Sequence, residues 1–470
     1  MKLQHIMFAI LTAVFVGLAS SCSKRAEILD NVPADVNLVA TVNVDKLCSA
    51  VGVTLNGDGT AEVCDPMQSV VRGNMKMLDA LASIKAEGVA DIDNIVVAVD
   101  KENVTYAIMA ISDMDKFDAA TGEYLDWNEA SNGYRTAHLG VSSMLVKDGY
   151  LWTVKGARDA VKSVDGFKKR AGEMSVTQLD GIAEVLGRDN MVNVAVASGL
   201  VSMNGTGKSD TGIAAQDKEW SVAALKEGAD NSLVIDWEMM QSTGRTIKAE
   251  GMQHINPALL AYVPENFNVT LAFGLTKEFD WEPLRKVVML AGGFQTAAFM
   301  SVVNPYLESI DGTVLMAAAP SSPELMKDGD VSDWDFIVMV HMPQDKINSL
   351  MSMISSMMST AGMTPTVTAD GIMAIPQYGK TMYIGNVDGY LGISTIGFDN
   401  TRNNSLAPTF VNKDMAANLS LVPYSDYIHG APEGTGVVVS ASMDNGKGVV
   451  KLKAEGTQWP VLVFLMTAMK

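Results

Sequence analysis

The stretch VPADVNLVATVNV, Val32 to Val44, returns later in the chain as VPENFNVTLAFGL, Val263 to Leu275. In the first copy, Pro33 fixes its own φ and pushes Val32 toward extended geometry. Beyond it, Val36, Leu38, Ala40, Val42 and Val44 alternate with Asn37, Val39, Thr41 and Asn43. That period of two predicts a β-strand with one face more apolar than the other. The same order of features follows each copy. YAIMAISDMDKF (Tyr106 to Phe117) has a partner in FIVMVHMPQDKI (Phe336 to Ile347), DGYL at Asp148 recurs at Asp388, and KAEG at Lys248 recurs at Lys453. Four matches in one order indicate a module written twice.

The elements around these landmarks point to an α+β fold. It is expected to hold two tandem duplicated modules, each a largely antiparallel or mixed sheet with packed helices. In the first module, helices are predicted over Met67–Lys85, Asp113–Ala120, Ala157–Arg170 and Val176–Leu186, with Asp45 opening a short helix before them. Strands are predicted over Ile95–Val99, Tyr106–Ile111, Val192–Ala197, Leu233–Met239 and Thr246–Glu250. Ser142–Val154 reads as a hairpin bent at Asp148-Gly149, a pair that tolerates the positive φ of a tight turn. In the second module the strands are Asn268–Leu275, Thr313–Ala318, Phe336–Val340, Gly371–Ile375, Thr381–Gly385, Tyr390–Ser394, Gly436–Ser442 and Val449–Ala454. Trp281–Leu290 and Asp345–Ala361 are its helices. The expected divisions are a signal peptide over 1–21, a tether over 22–31, and modules over 32–255 and 256–470.

The N-terminus is the most specific signal. Ile6 to Leu18 is a short apolar run behind Lys2, and Ala19, Ser20 and Ser21 lead to Cys22. The run is shorter than the ~20 residues that span a bilayer. A charged start, a short apolar segment and small residues make a secretory signal. The Cys directly after the small residues resembles a bacterial lipoprotein box, with Cys22 lipidated as the new N-terminus. Ala19 stands where that box usually has Leu. SKRAEILDNVPADVNLVATVNV, Ser23 to Val44, resembles a family of Bacteroidetes cell-envelope lipoproteins of unknown function, with a VPAD segment after the lipid cysteine. The resemblance implies an envelope lipoprotein and supplies no active site. The resemblance further implies acidic residues after the Cys in surface-displayed members; Lys24 and Arg25 are basic here, so an outer-membrane protein facing the periplasm is expected.

Composition bounds the partners. The 470 residues are 48% hydrophobic and 19% charged, enough apolar material for full cores. The net charge is −19, a field that repels nucleic acid and anionic lipid surfaces. The membrane is therefore expected as a partner only through the lipid anchor, with an envelope protein or glycan as ligand. Cys48 and Cys64 are the cysteines left after lipidation, and an exported chain folds in an oxidising space, so they are expected to pair as a disulfide.

Motifs for familiar chemistry are missing or broken. His138, His254, His341 and His429 are far apart in sequence, and there is no H-E-x-x-H, so no metal ligands are assigned. No G-x-S-x-G nucleophile motif occurs. GTGKS (Gly205–Ser209) lacks the first Gly of a phosphate loop, because Ser202 stands there, and reads as a flexible surface loop. TLNGDGTAEVCD (Thr54–Asp65) aligns in part with a calcium loop, but Thr54 replaces the first Asp and Asp65 the closing Glu, so a Gly/Asp turn is the plainer reading. In the Asp345–Ala361 helix, Met351, Met357 and Met358 lie with Ile347, Leu350, Ile354 and Ala361 on one stripe, predicting core rather than a copper site. Trp152 is expected in the core rather than on a sugar-stacking surface. The recurring acids Asp115/Asp345 and Asp148/Asp388 are expected as caps and bends. No catalytic residue or cofactor is assigned. The function read from the sequence is a non-catalytic envelope lipoprotein that binds or scaffolds. The alternative is an exported hydrolase whose site is assembled from sequence-distant residues.

Overall fold

The computed structural model describes residues 22–71, 75–122, 125–197, 218–282, 304–320, 334–360, 362, 364–377, 379–401, 404–422 and 434–468. The signal segment, the GTGKS stretch, His429 and most of Trp281–Leu290 lie outside them. The chain forms two compact units: residues 1–247 with 458–470, and residues 248–457. The division thus falls at Ile247/Lys248, and the C-terminal segment belongs to the first unit rather than the second. The reason is burial. In the helix Val461–Ala468, Val463 is fully buried in the first unit's core with Cys48, Met67 and Leu81.

The first unit is α+β with an antiparallel sheet, as the period-two segments predict. Its described strands are β1 (Leu38–Val42), the small hairpin β2 (Val53–Leu55) and β3 (Ala61–Val63), β4 (Ile95–Val99), β5 (Thr105–Ala110), β6 (Asn128–Glu129), β7 (Arg135–Leu139), β8 (Ser142–Lys147), β9 (Tyr150–Lys155), β10 (Val192–Ala197), β11 (Glu219–Glu227) and β12 (Leu233–Gln241). Their order across the main sheet is β12-β11-β10-β1-β4-β5-β9-β8-β7-β6, antiparallel at every step. The VPAD strand is therefore central, with Ala40 opposite Val194 on one side and Val97 on the other.

Each face of this sheet carries a core. Val39, Val96, Tyr106, Ile108, Leu145 and Trp152 point to one cluster, which the helices Ala160–Glu173 and Asp180–Gly187 cover through Val164, Phe167, Ile182 and Val185. Ile95, Met109, Met144 and Leu151 point to the other, with Leu78, Leu81 and Phe117 from the helices Met75–Ala86 and Met114–Thr121. Successive strand residues alternate between the two clusters because successive Cβ atoms leave opposite faces. Full burial of one large aliphatic or aromatic side chain contributes about 1.5–3 kcal/mol, so these cores outweigh the weak local propensities.

Sequence expectations and structure part at several points. The segment 22–31 is not a free tether: Cys22–Leu29 is helical, with Ile28 and Leu29 in the first core. Arg25 is buried and donates to the carbonyls of Asp93 and Arg188 and to Asn94 Oδ1. Asn43, not Asp45, caps the helix Val44–Ala50 by accepting from the Lys46 amide. Asp113, not Asp115, caps Met114–Thr121. The helix expected over 67–85 is two helices, Asp65–Val71 and Met75–Ala86. The segment 246–250 forms only an isolated bridge, Met240 to Thr246, whereas the second KAEG ends a strand. The two KAEG segments are therefore not equivalent; a four-residue match carries too little pattern to fix a pairing partner.

The second unit has β13 (Val269–Leu275), β14 (Gly312–Pro320), β15 (Trp334–His341), β16 (Thr366–Val367), β17 (Met373–Gln377), β18 (Lys380–Val387), β19 (Tyr390–Ser394), β20 (Met415–Ser420), β21 (Gly436–Asp444) and β22 (Lys447–Glu455). Their order is β22-β21-β20-β13-β14-β15-β19-β18-β17-β16, again antiparallel throughout. The second VP strand, β13, is central here. One face carries Ala272, Leu315, Ile337 and Met339 under Leu260 and Phe410. The other carries Leu275, Ile384 and Leu391 under the helix Gln344–Thr360. Asp148-Gly149 bends β8 into β9 and Asp388-Gly389 bends β18 into β19, all four residues with positive φ.

Candidate functional site

Most polar constellations among the described residues serve the framework. Asp35 of the VPAD segment pairs with Lys101 and lies 3.5 Å from Arg170 Nε. Arg170 also reaches Asp100, which is buried and accepts from the amides of Glu102 and Val104 and from the Tyr106 hydroxyl. This network ties the entry of β1 to the β4–β5 turn and to the helix Ala160–Glu173. Burial, partly offset by a Ser163 hydrogen bond, pushes the Tyr106 phenol up to about 12, so it stays neutral.

The partial calcium loop is the turn of the β2–β3 hairpin. Asp58 accepts from both the amide and the hydroxyl of Thr60, which holds its carboxyl below the usual range. Asp65 instead accepts from Gln68. Asp58 and Asp65 thus each accept from neighbours within their own segment. Trp152 is fully buried against Phe167, as expected of core. In the Met-rich helix Gln344–Thr360, Ile347 is fully buried and Leu350, Met351, Ile354 and Met358 pack on the core. Met357, predicted on the same stripe, is instead 63% exposed. A shallow hollow of about 600 Å³ lies against this helix, between Met351, Met373 and the hydroxyls of Ser352, Ser355, Ser356, Ser359 and Thr360.

Cys48 and Cys64 are free thiols in this structure, so the predicted disulfide is not formed in it. Cys48 is buried in the core of the first unit and Cys64 packs against that core. Burial, followed by the Asp45 charge, pushes the Cys48 thiol up to about 12. A group so protonated is a poor nucleophile. The Cys22 side chain lies outside the described part of the structure.

One constellation has no framework role visible in the sequence. In the second unit, His254, Asp414 and Asp444 come together with one donor atom each, all within 4.8 Å of one another. His254 Nε2 stands 3.7 Å from Asp414 Oδ1 and 3.5 Å from Asp444 Oδ1. The sheet positions all three. The amides of Gln253 and Ile255 bond to the carbonyls of Gly274 and Lys413, so the residue between them is held at both sides. Asp414 precedes β20; its amide bonds to Met443 O, and its carbonyl accepts from Gly274. Asp444 ends β21 at the tight turn Asn445-Gly446, where both residues have positive φ. The turn also orients the acids: the Asn445 amide donates to Asp414 Oδ2 at 2.7 Å, and its side chain donates to Asp444 Oδ1 at 2.6 Å.

Sequence reasoning missed this group, because His254 is about 160 residues from Asp414 and spacing rules search only local ligands. The single local signal was the DNGKG turn, which fixes where a β21 acid must end.

An antiparallel α+β protein of two compact units is what the fold defines. No family model matches the chain, and no curated protein matches it. Among solved structures, the chain is similar to TP0453 in its crystal forms IV, III and I, at 6% identity and TM-scores of 0.26, 0.28 and 0.24. The alignments cover 45–46% of this chain and 78–79% of that one. A likeness at that level carries no argument about function.

Proposed function

We propose that the chain is a lipid-anchored protein of the bacterial cell envelope with a non-catalytic binding or scaffolding role, carried by two copies of one α+β module. The observation behind the two copies is the pairing order. Strand for strand, β12-β11-β10-β1-β4-β5-β9-β8-β7-β6 corresponds to β22-β21-β20-β13-β14-β15-β19-β18-β17-β16. Helices enter at matching places: Met114–Thr121 follows β5 and Gln344–Thr360 follows β15. The features that recur are the central strand and the Asp-Gly bends, which are framework. A repeated framework, with no reactive group recurring among the described residues, supports binding or scaffolding, with an envelope protein or glycan as ligand. The anchor rests on the apolar run and small residues before Cys22.

The test is a Cys22→Ala chain expressed in its own envelope. Release from the membrane fraction, with loss of the lipid mass at the N-terminus, is the expected result. Membrane retention of the variant refutes the anchor. Affinity capture with the anchored protein then reads the ligand class.

A further inference from the structure

We propose that His254, Asp414 and Asp444 form a binding site for a divalent transition-metal cation of the zinc type. This inference stands on the geometry of the second unit and does not depend on the lipoprotein reading.

The distances argue first. At 3.5 and 3.7 Å, His254 Nε2 is farther from both carboxylates than the ~2.7–3.2 Å of a good hydrogen bond. The His254 ring thus stands at ion-pair distance from both carboxylates without a short hydrogen bond to either. A tetrahedral zinc with bonds of about 2.0–2.2 Å has donor–donor edges of about 3.3–3.6 Å. The two separations from His254 lie at or just beyond that edge, and the two carboxylates come within 4.8 Å of each other.

The chemistry argues second. Two carboxylates and an imidazole offer two oxygen donors and one nitrogen donor, a set that complements a dication. Imidazole favours zinc and its transition-metal neighbours, whereas calcium and magnesium take all-oxygen sets. Three protein ligands leave a fourth position for water, and His254, with half its side chain exposed, faces solvent there.

The surroundings argue third. The Asp414 side chain is only 9% exposed, an expensive place for a carboxylate whose function is surface solubility. Its other oxygen and Asp444 are both held by Asn445, the outer-shell arrangement that fixes ligand orientation in metal sites. Gly274 permits the construction: a Cβ there would lie 1.9 Å from Gln253 O, so only glycine lets the His254 segment approach β13.

Zinc titration of the full mature chain, stripped of metal and followed by calorimetry, tests the proposal. His254→Ala and Asp444→Asn are the main variants, with folding checked by circular dichroism. Asn445→Gly keeps the positive φ of the turn and removes only the side-chain donor. The expected result is one zinc equivalent that is lost in both ligand variants and weakened about tenfold in Asn445→Gly. Cobalt should give the intense visible bands of a four-coordinate site in the wild type and lose them in His254→Ala. No zinc uptake by the wild type overturns the proposal, and so does an unchanged isotherm in either folded ligand variant.

Discussion

Replacing Gly274 by Ala should damage both the second unit's sheet and the His254 cluster. The new Cβ would meet Gln253 O at 1.9 Å, with Gln253 C and His254 C at 2.8 Å. Ordinary contact begins near 3.4 Å, so the backbone at Gln253–His254 must retreat by about 1.5 Å. The retreat breaks the Gln253 amide bond to Gly274 O, now 3.0 Å, and strains the Gly274 amide bond to Asp414 O, now 2.8 Å. Each such bond contributes about 1 kcal/mol, and forced overpacking costs about 1–3 kcal/mol. The expected destabilisation is about 2–4 kcal/mol, read from urea unfolding followed by circular dichroism. Metal sites tolerate errors of only about 0.2 Å, so zinc affinity should fall with it. Gly187→Ala is the control: it ends the helix Asp180–Gly187 with nothing within 4 Å of the new Cβ, and should be neutral or slightly stabilising. A Gly274→Ala protein within ~0.5 kcal/mol of wild type with intact zinc binding would refute the close-approach argument.

Other outcomes follow from the same geometry. Asp100→Ala leaves the Glu102 and Val104 amides and Arg170 without their buried acceptor, and should cost about 3 kcal/mol in urea unfolding. Gly389→Val forces a branched residue into φ +86°, and should cost about 1–3 kcal/mol in urea unfolding, whereas Gly389→Asn, a residue that tolerates positive φ, should cost less. The Cys48 thiol is raised from 9.0 to about 12. Its neutral form is the one the fold favours, so this contribution to stability is whole below pH ~9 and is lost as pH rises toward 12. Mass spectrometry after alkylation at pH 8 should find Cys48 unmodified in the folded protein and modified after denaturation.

The sequence by itself determined much of the local structure. Period-two runs such as Val36–Val44 set strands because alternate Cβ atoms must divide between two faces, and Asp-Gly pairs set bends because those residues tolerate positive φ. The α+β class follows from those signals. Several strands escaped: among them β11, EWSVAALKE, and β20, MAANLS, carry charge, Asn and Ala that blur the alternation. Each is paired on both sides, β11 by β10 and β12 and β20 by β13 and β21, and that pairing stabilises a segment that its own residues do not. The helix at 22–29 was missed for a similar reason, since Arg25 finds its carbonyl partners far along the chain, at Asp93 and Arg188. Only the tertiary structure decided the C-terminal helix's place, through the burial of Val463 with residues some 400 positions earlier. It alone gathered His254, Asp414 and Asp444. Those side chains meet because β13, β20 and β21 are neighbours in the sheet, and sheet adjacency is set by cooperative pairing and burial across the whole unit.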